Sequence, residues 1–483
     1  MFFHNYGMKF LIKKYYMNSL DIALFLGILI ISVFIGLRGS QNVKTEVSYL
    51  LADRKTGFFA LVSTLVMTEF NPSTLVGFSS VGYFTGVWGL SLPFVFLIGL
   101  LFYTFTVAKK WKRLDASSVA ELFTLRYGEG FGKLASTFLL VALFGFSANY
   151  IKSMQILFKP WMSNFSDFQI SFILVLLVAF ITLRGGLVAI IKTDVWSFIA
   201  TLIFIPMLYI FSIPEKAIHH VITIQEGQSA LPPNFVLSLI MLTMFTYIAA
   251  PWYGQKIFSA KSESIAFYSV GVASILVFLL YSFPILAVYN LKMSGIIFDN
   301  SEGGVPYIIK NLFPIGLKGF GYIVIFLAGI TTLSGVWSAM VTMILSDLLK
   351  KKIDHIVTPK RSIYLTLIII GISLGISEIF IDKILDKLIL ANIPIAALSF
   401  GLLGAFYYKK TSRVGVIASM LFGFIWGIFC YIYFGVEGNY TYYWGVIGIP
   451  IIFIIGITFS LLFPPSQDEE QFIINFNKRM GST

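Results

Sequence analysis

Long apolar runs, each near 20 residues, alternate with short polar or basic loops along the whole chain, and runs of that length match the hydrocarbon thickness of a bilayer. The pattern predicts about thirteen membrane-spanning helices. They fall at 20–37, 57–83, 90–107, 131–158, 168–183, 188–213, 235–257, 266–289, 317–349, 363–377, 384–408, 415–434 and 442–463. Short helices are expected near 117–126 and 305–312, in the loops after the third and eighth spans. A transmembrane barrel would instead show weak alternation in segments of about ten residues. The chain therefore reads as an all-α polytopic membrane protein with one membrane domain at 18–463. Residues 1–17 form a basic extension, and 464–483 a polar tail.

The second span breaks this apolar rule. It holds Glu69, the pair Asn71-Pro72, the hydroxyls of Thr68, Ser73, Thr74, Ser79 and Ser80, and glycines at 77 and 82. A charge at the bilayer centre costs about 3 kcal/mol or more. Pro72 also deprives the Thr68 carbonyl of its helical donor. Free backbone groups at membrane depth are tolerated only inside protein or around a polar cavity. The span thus reads as a broken helix handling a polar cargo. The seventh span is interrupted as well, at Thr246-Tyr-Ile-Ala-Ala-Pro-Trp-Tyr-Gly-Gln-Lys256. The two breaks lie five spans apart, and transporters built from inverted repeats place discontinuous helices at corresponding positions of two halves. Proline alone is weaker evidence, since Pro93, Pro206, Pro284 and Pro394 also fall in spans.

The ninth span contributes Ala328-Gly-Ile-Thr-Thr-Leu-Ser-Gly335. Two hydroxyls and a nearby carbonyl can wrap a small hard cation, which prefers oxygen ligands. The competing reading is that each hydroxyl bonds the carbonyl one turn earlier on its own helix.

Composition narrows the function classes. The chain is 57% hydrophobic and 12% charged, with net charge +12. In a membrane protein such an excess reflects cytoplasmic loops, so no nucleic-acid partner is implied. Most lysines and arginines fall in alternate loops, including Lys109, Lys110, Lys112, Arg113, Lys350, Lys351, Lys352, Lys409 and Lys410. That bias predicts the N-terminus outside and the C-terminus in the cytoplasm. Lys9, Lys13 and Lys14 oppose it, which suggests Met17 as the start of translation. Lys152, near the end of the fourth span, is expected to snorkel to the outer surface. The lone Cys430 excludes an intrachain disulfide. His4, His219, His220 and His355 all lie outside the spans, so a membrane-embedded enzyme and a prosthetic group are not expected.

Several motifs together resemble the sodium:solute symporter family, which includes bacterial proline, pantothenate and sialic-acid carriers and animal sodium–glucose cotransporters. The most specific is Ile181-Thr-Leu-Arg-Gly-Gly-Leu-Val-Ala189 followed by Lys192-Thr-Asp194. Tyr49-Leu-Leu-Ala-Asp-Arg54, Val119-Ala-Glu-Leu122 with Arg126-Tyr-Gly128, Gln255-Lys-Ile-Phe-Ser-Ala-Lys261 and Ala328-x-x-Thr331-Thr332 with Asp347 are similar to further family patterns. Lys256 stands where the family has arginine.

The resemblance implies a LeuT-type fold: inverted five-helix repeats over spans two to six and seven to eleven. It implies a co-transported sodium ion held by the backbone carbonyls of Met67, Phe70 and Ala328 and the hydroxyls of Thr331 and Thr332. It also gives Glu69 a role in ion coupling, although many relatives carry aspartate there. Asp194 is implicated in ion release; its alternative role is a helix N-cap. Solute contacts would come from the two breaks: Asn71, Ser73 and Thr74 on one side, Tyr247, Trp252 and Gln255 on the other. The Asn71-Pro72-Ser73 run departs from the sugar-carrier pattern, which leaves an amino acid or small carboxylate as the expected solute. The expected function is alternating-access symport in a bacterial plasma (inner) membrane, with sodium, solute and lipid as partners and no obligate protein partner. The alternatives are proton coupling through Glu69, or a sensor that binds solute without net transport.

Overall fold

The structure, a computed structural model, describes residues 18–40, 45–183, 186–215, 221–298, 300–349, 360–435 and 439–481. Residues 1–17 with the candidate start Met17, the side chains of Arg184 and Lys350 to Lys352, and His219, His220 and His355 lie outside that set. The described chain is helical throughout, apart from one isolated parallel bridge between Thr56 and Ala260. Among the described residues, nine helices are long and apolar enough to cross a bilayer, or up to eleven if each bent pair is one span. Each expected segment falls on helix, but length and composition do not reach a count of thirteen. The reasons are local. The first half of the second span, Phe58–Glu69, has only 12 residues. Its second half runs on with the third span as Pro72–Leu114. The fifth, Asp167–Thr182, has 16 residues.

The ninth span, Leu317–Met343, is the core of the bundle, with every side chain from Gly321 to Met343 buried. Its run of Ala, Gly, Ser and Thr lets neighbours approach closely, as membrane helix packing requires. At Gly329 an added Cβ would lie 2.4 Å from Met154 Sδ of the fourth span, Glu129–Phe158. Gly186–Ser212, Phe58–Glu69 and Ser19–Ser40 pack around the same helix. The eighth span, Glu263–Met293, runs along both halves of the broken second span. Gly82 permits that contact, because its Cβ would meet the Ile285 carbonyl oxygen at 2.4 Å. Ser19–Ser40, Lys360–Phe380 and Arg413–Phe434 keep exposed apolar faces, as lipid contact demands.

Both anticipated breaks are present. The second span stops at Glu69 and restarts at Pro72, with Asn71 as N-cap and Pro72 in the first turn. The seventh stops at Tyr247 and restarts at Pro251. Proline suits a helix start because its missing N–H has no helical partner there. A third break, interrupted at two points, divides the eleventh span into Ile384–Leu390, Ile393–Ala396 and Ser399–Tyr407. The tail is more ordered than its polarity suggests. Helix Gln467–Arg479 docks on Val119–Tyr127, with Phe476 buried and Arg479 donating to the Leu114 carbonyl oxygen at 2.8 Å.

Candidate functional site

The break in the second span is braced from outside. Tyr281 of the eighth span donates to the Glu69 carbonyl oxygen and accepts from the Asn71 N–H at 3.0 Å. Asn71 closes the gap: its Nδ2 donates to the Glu69 carbonyl oxygen at 2.8 Å, and its Oδ1 accepts from the Thr74 N–H at 2.8 Å. Asn71→Ala removes both bonds and should cost about 1–2 kcal/mol, read as thermal stability of the purified protein. Asn71→Ser keeps a cap acceptor and should recover part of that loss.

Four of the expected ion ligands meet beside this break. Thr331 Oγ1 lies 3.2 Å from the Met67 carbonyl oxygen and 3.0 Å from that of Ala328. Thr332 Oγ1 lies 3.3 Å from Met67 O and 2.9 Å from Ala328 O. The bonds to Ala328 are the back-bonding that hydroxyls in membrane helices favour. The approach to Met67 is not, because it links the ninth span to the second. Two hydroxyl protons serve these carbonyls while lone pairs on all four oxygens remain for a cation. Phe70 follows with non-helical backbone (φ −73°, ψ 84°), which turns its carbonyl off the helix axis.

A cavity opens next to the break, with about 660 Å³ of atom-free space. Glu69, Asn71, Thr74, Tyr247 and Trp252 line it. Ser73 does not; its Oγ pairs with Ser153 Oγ at 3.0 Å. Gln255 is also elsewhere, donating from Nε2 to the Leu50 carbonyl oxygen (3.1 Å), Ser338 Oγ (3.0 Å) and Thr342 Oγ1 (3.2 Å). The Glu69 carboxylate receives the Tyr247 hydroxyl on one oxygen and Trp252 Nε1, at 3.2 Å, on the other. The two breaks therefore meet across one carboxylate. Sequence reasoning missed Phe96, Phe146 and Tyr150, which also line the cavity, and the wall from the broken eleventh span, including Leu388 and Asn392. Pro394 was the available signal for that third break.

Asp194 lies far from any helix start, since its helix begins at Gly186, so the N-cap alternative is corrected. It is fully buried, accepts from the Thr64 hydroxyl, and pairs with Lys256 Nζ at 3.3 Å. Thr64 precedes Thr68 by one turn of the first half-helix, and Thr68 Oγ1 donates to its carbonyl oxygen at 2.6 Å. Two of the sequence motifs thus meet, through Asp194 and Lys256, in one polar cluster on the half-helix of the expected ion ligands rather than in the cavity. Gly186, from the same motif as Asp194, lies instead against Tyr49: at φ +54° its Cβ would lie 2.4 Å from the Tyr49 carbonyl oxygen. Asp347 likewise gathers Ser118 Oγ at 2.7 Å and Ser136 Oγ at 3.2 Å. Lys152 does not simply snorkel; its Nζ lies 4.0 Å from Glu378 Oε2.

A family model for the sodium:solute symporter family matches residues 49–423. No curated protein matches the chain by sequence. Among solved structures, the chain is similar to a Na+-coupled sialic acid symporter in a substrate-bound outward-open state with a novel Na+ site. Identity is 16%, the match covers 92% of this chain and 98% of that one, and the TM-score is 0.74. It is also similar to MhsT in complex with L-phenylalanine, at 13% identity, covering 83% of this chain and 99% of that one, with a TM-score of 0.55. At these identities the likeness establishes the architecture, a LeuT-type fold.

Proposed function

The chain belongs to the sodium:solute symporter family, and from that premise we propose that it moves a small organic solute with sodium by alternating access. The observation that supports this reading best is the group of four oxygens from Met67, Ala328, Thr331 and Thr332, gathered at the break that also borders the cavity. Sodium is cargo here. Bound among these oxygens, with the Phe70 carbonyl as a further ligand, it would clamp the first half of the second span onto the ninth. Met67 and Glu69 sit on the same half-helix, one facing the ion group and one lining the cavity. Fixing that half-helix therefore orders one wall of the solute cavity. Solute, by the same linkage, raises sodium affinity by an equal factor. Asp194, hydrogen-bonded to Thr64 one turn before Met67 on the half-helix, would assist release of the ion. The bias of basic residues supports the N-terminus outside and the C-terminus inside, so that sodium entering the cell drives uptake. One charge crossing 100 mV supplies about 2.3 kcal/mol.

Solute uptake into proteoliposomes, with and without an inward sodium gradient, tests the reading. Uptake should need sodium, and sodium-independent uptake at both saturating and sub-saturating solute would sink it. Proton coupling through Glu69 is the rival, because this carboxylate receives only neutral donors. Varying pH at fixed sodium separates the two, since a proton-driven carrier would respond to the pH gradient with sodium absent.

A further inference from the structure

We propose that the solute is an organic cation, an ammonium group held between the Glu69 carboxylate and a wall of aromatic rings. This assignment rests on reading the cavity as the solute site of a sodium symporter, and it adds the substrate class. Three observations carry it. The first is charge. Glu69 lines the cavity, and among the described residues no lysine, arginine or histidine does. Its partners there, Tyr247 Oη and Trp252 Nε1, are neutral. The nearby membrane-embedded cations are committed elsewhere, Lys256 to Asp194 and Lys152 to Glu378. A buried carboxylate without a counter-cation is costly, and a charged ligand would supply the missing partner. An ionisable group inside the membrane commonly marks the path of a charged cargo.

The second observation is the wall. Phe96, Tyr247, Trp252, Phe146 and Tyr150 line the same cavity and form an unbroken run of ring contacts. The centroid separations along it are 5.7, 6.3, 4.8 and 6.2 Å. Ring faces attract cations, and aromatic enclosures are a general means of recognising quaternary ammonium groups, which offer no hydrogen to bond. The third is that, among the described residues, no charged donor lines the cavity for an anion; its other polar lining groups, such as Thr74, Thr243, Tyr150 and Asn392, are neutral. Pro72 has no N–H, and that of Thr74 is taken by Asn71 Oδ1, so the half-helix start presents few donors to a carboxylate. A small carboxylate would also face Glu69 directly. The expectation of a carboxylate solute therefore finds no support in this cavity, and a zwitterion would pair at only one end.

Thermal stability of the purified full chain, in sodium and in potassium buffers, provides the test. The probes are choline, tetramethylammonium, dimethylbutanol (the uncharged carbon isostere of choline), proline and butyrate. The two ammonium compounds should stabilise the protein, and more so in sodium; the isostere, proline and butyrate should act far more weakly. Glu69→Gln should weaken ammonium binding about a hundredfold or more, because it removes the one counter-charge among the described residues lining the cavity. Phe146→Leu, which keeps the charge, should weaken it about tenfold. Sodium-linked stabilisation by proline, butyrate or the isostere that equals or exceeds that of the ammonium probes would overturn the assignment and leave symport intact. So would sodium stabilisation with no response to either ammonium probe. Ammonium binding that ignores sodium would keep the assignment and overturn the symport reading. Should Glu69→Gln fail to fold, undiminished ammonium binding in Phe146→Leu would count against the aromatic site.

Discussion

Lys256→Met, with Asp194 retained, is expected to lower stability by about 3–5 kcal/mol. Both side chains of the pair are fully buried, and Nζ lies 3.3 Å from Oδ2. Without the ammonium, the carboxylate keeps only the Thr64 hydroxyl as a named donor. A hydroxyl cannot offset the desolvation of a full charge, so the cost comes from the orphaned partner rather than from the lost attraction. Asp194→Asn should be comparably damaging, because it strands the lysine. The double variant Asp194→Asn with Lys256→Met buries no charge and should recover most of the loss, since neutral replacements of buried pairs are often tolerated. Thermal unfolding of the four proteins in one detergent measures this cycle. If the double variant is as unstable as the sum of the singles, the two residues act separately and the pair is not an electrostatic unit. The location matters for transport as well. The pair and Thr64 tie together Gly186–Ser212, Pro251–Ser259 and Phe58–Glu69, which belong to both repeats. A stable double variant would therefore reveal whether this tie limits the rate of the transport cycle, independently of any loss of folded protein.

The breaks were legible in the sequence because proline and asparagine act locally. Pro72 cannot donate to Thr68, Asn71 can cap the next turn, and both effects need only neighbouring residues. Pro251 followed the same logic. Pro394 carries the same chemistry, with Asn392 as the cap two residues before it, but the run around them is almost wholly apolar and lacks the acid and hydroxyls that made the second span stand out. The pairing of Thr331 and Thr332 with Met67 follows from the family resemblance; hydroxyl spacing alone favoured Ala328 as acceptor, and the structure contains both contacts. Tyr281 was beyond reach. One hydroxyl among 24 tyrosines gives no local sign that it braces a distant backbone. Lys256 and Asp194 each lay in a recognised motif, but their pairing depends on how two repeats pack. The tail helix was readable in principle: Phe472, Phe476 and Met480 recur every four residues within a polar segment, the spacing of an amphipathic helix.

Thr331→Ala combined with Thr332→Ala should abolish the dependence of the protein on sodium. The two hydroxyls are the only side-chain oxygens in the group; Met67 and Ala328 contribute backbone carbonyls, which mutation cannot delete. The double variant thus removes half of the four gathered oxygens and the bridge from the ninth span to the second. Stabilisation by a bound ion follows RT ln(1 + [Na+]/Kd), so a tenfold weaker site loses about 1.4 kcal/mol at saturating sodium. Each single variant should weaken sodium by about tenfold or more, and the double should leave no measurable sodium-dependent rise in unfolding temperature. Ser334→Ala is the control. Its hydroxyl bonds the Ile330 and Thr331 carbonyl oxygens of its own helix, at 2.6 and 3.1 Å, and among the described residues it bridges to no other span. Sodium response should survive there. A second readout separates lost ion binding from simple loosening of the ninth span. Solute affinity in the absence of sodium should be nearly unchanged in the double variant, while its enhancement by sodium disappears, because the two affinities are linked by one factor. A sodium response that persists undiminished in the double variant would place the ion elsewhere and detach the Met67–Thr332 contact from coupling.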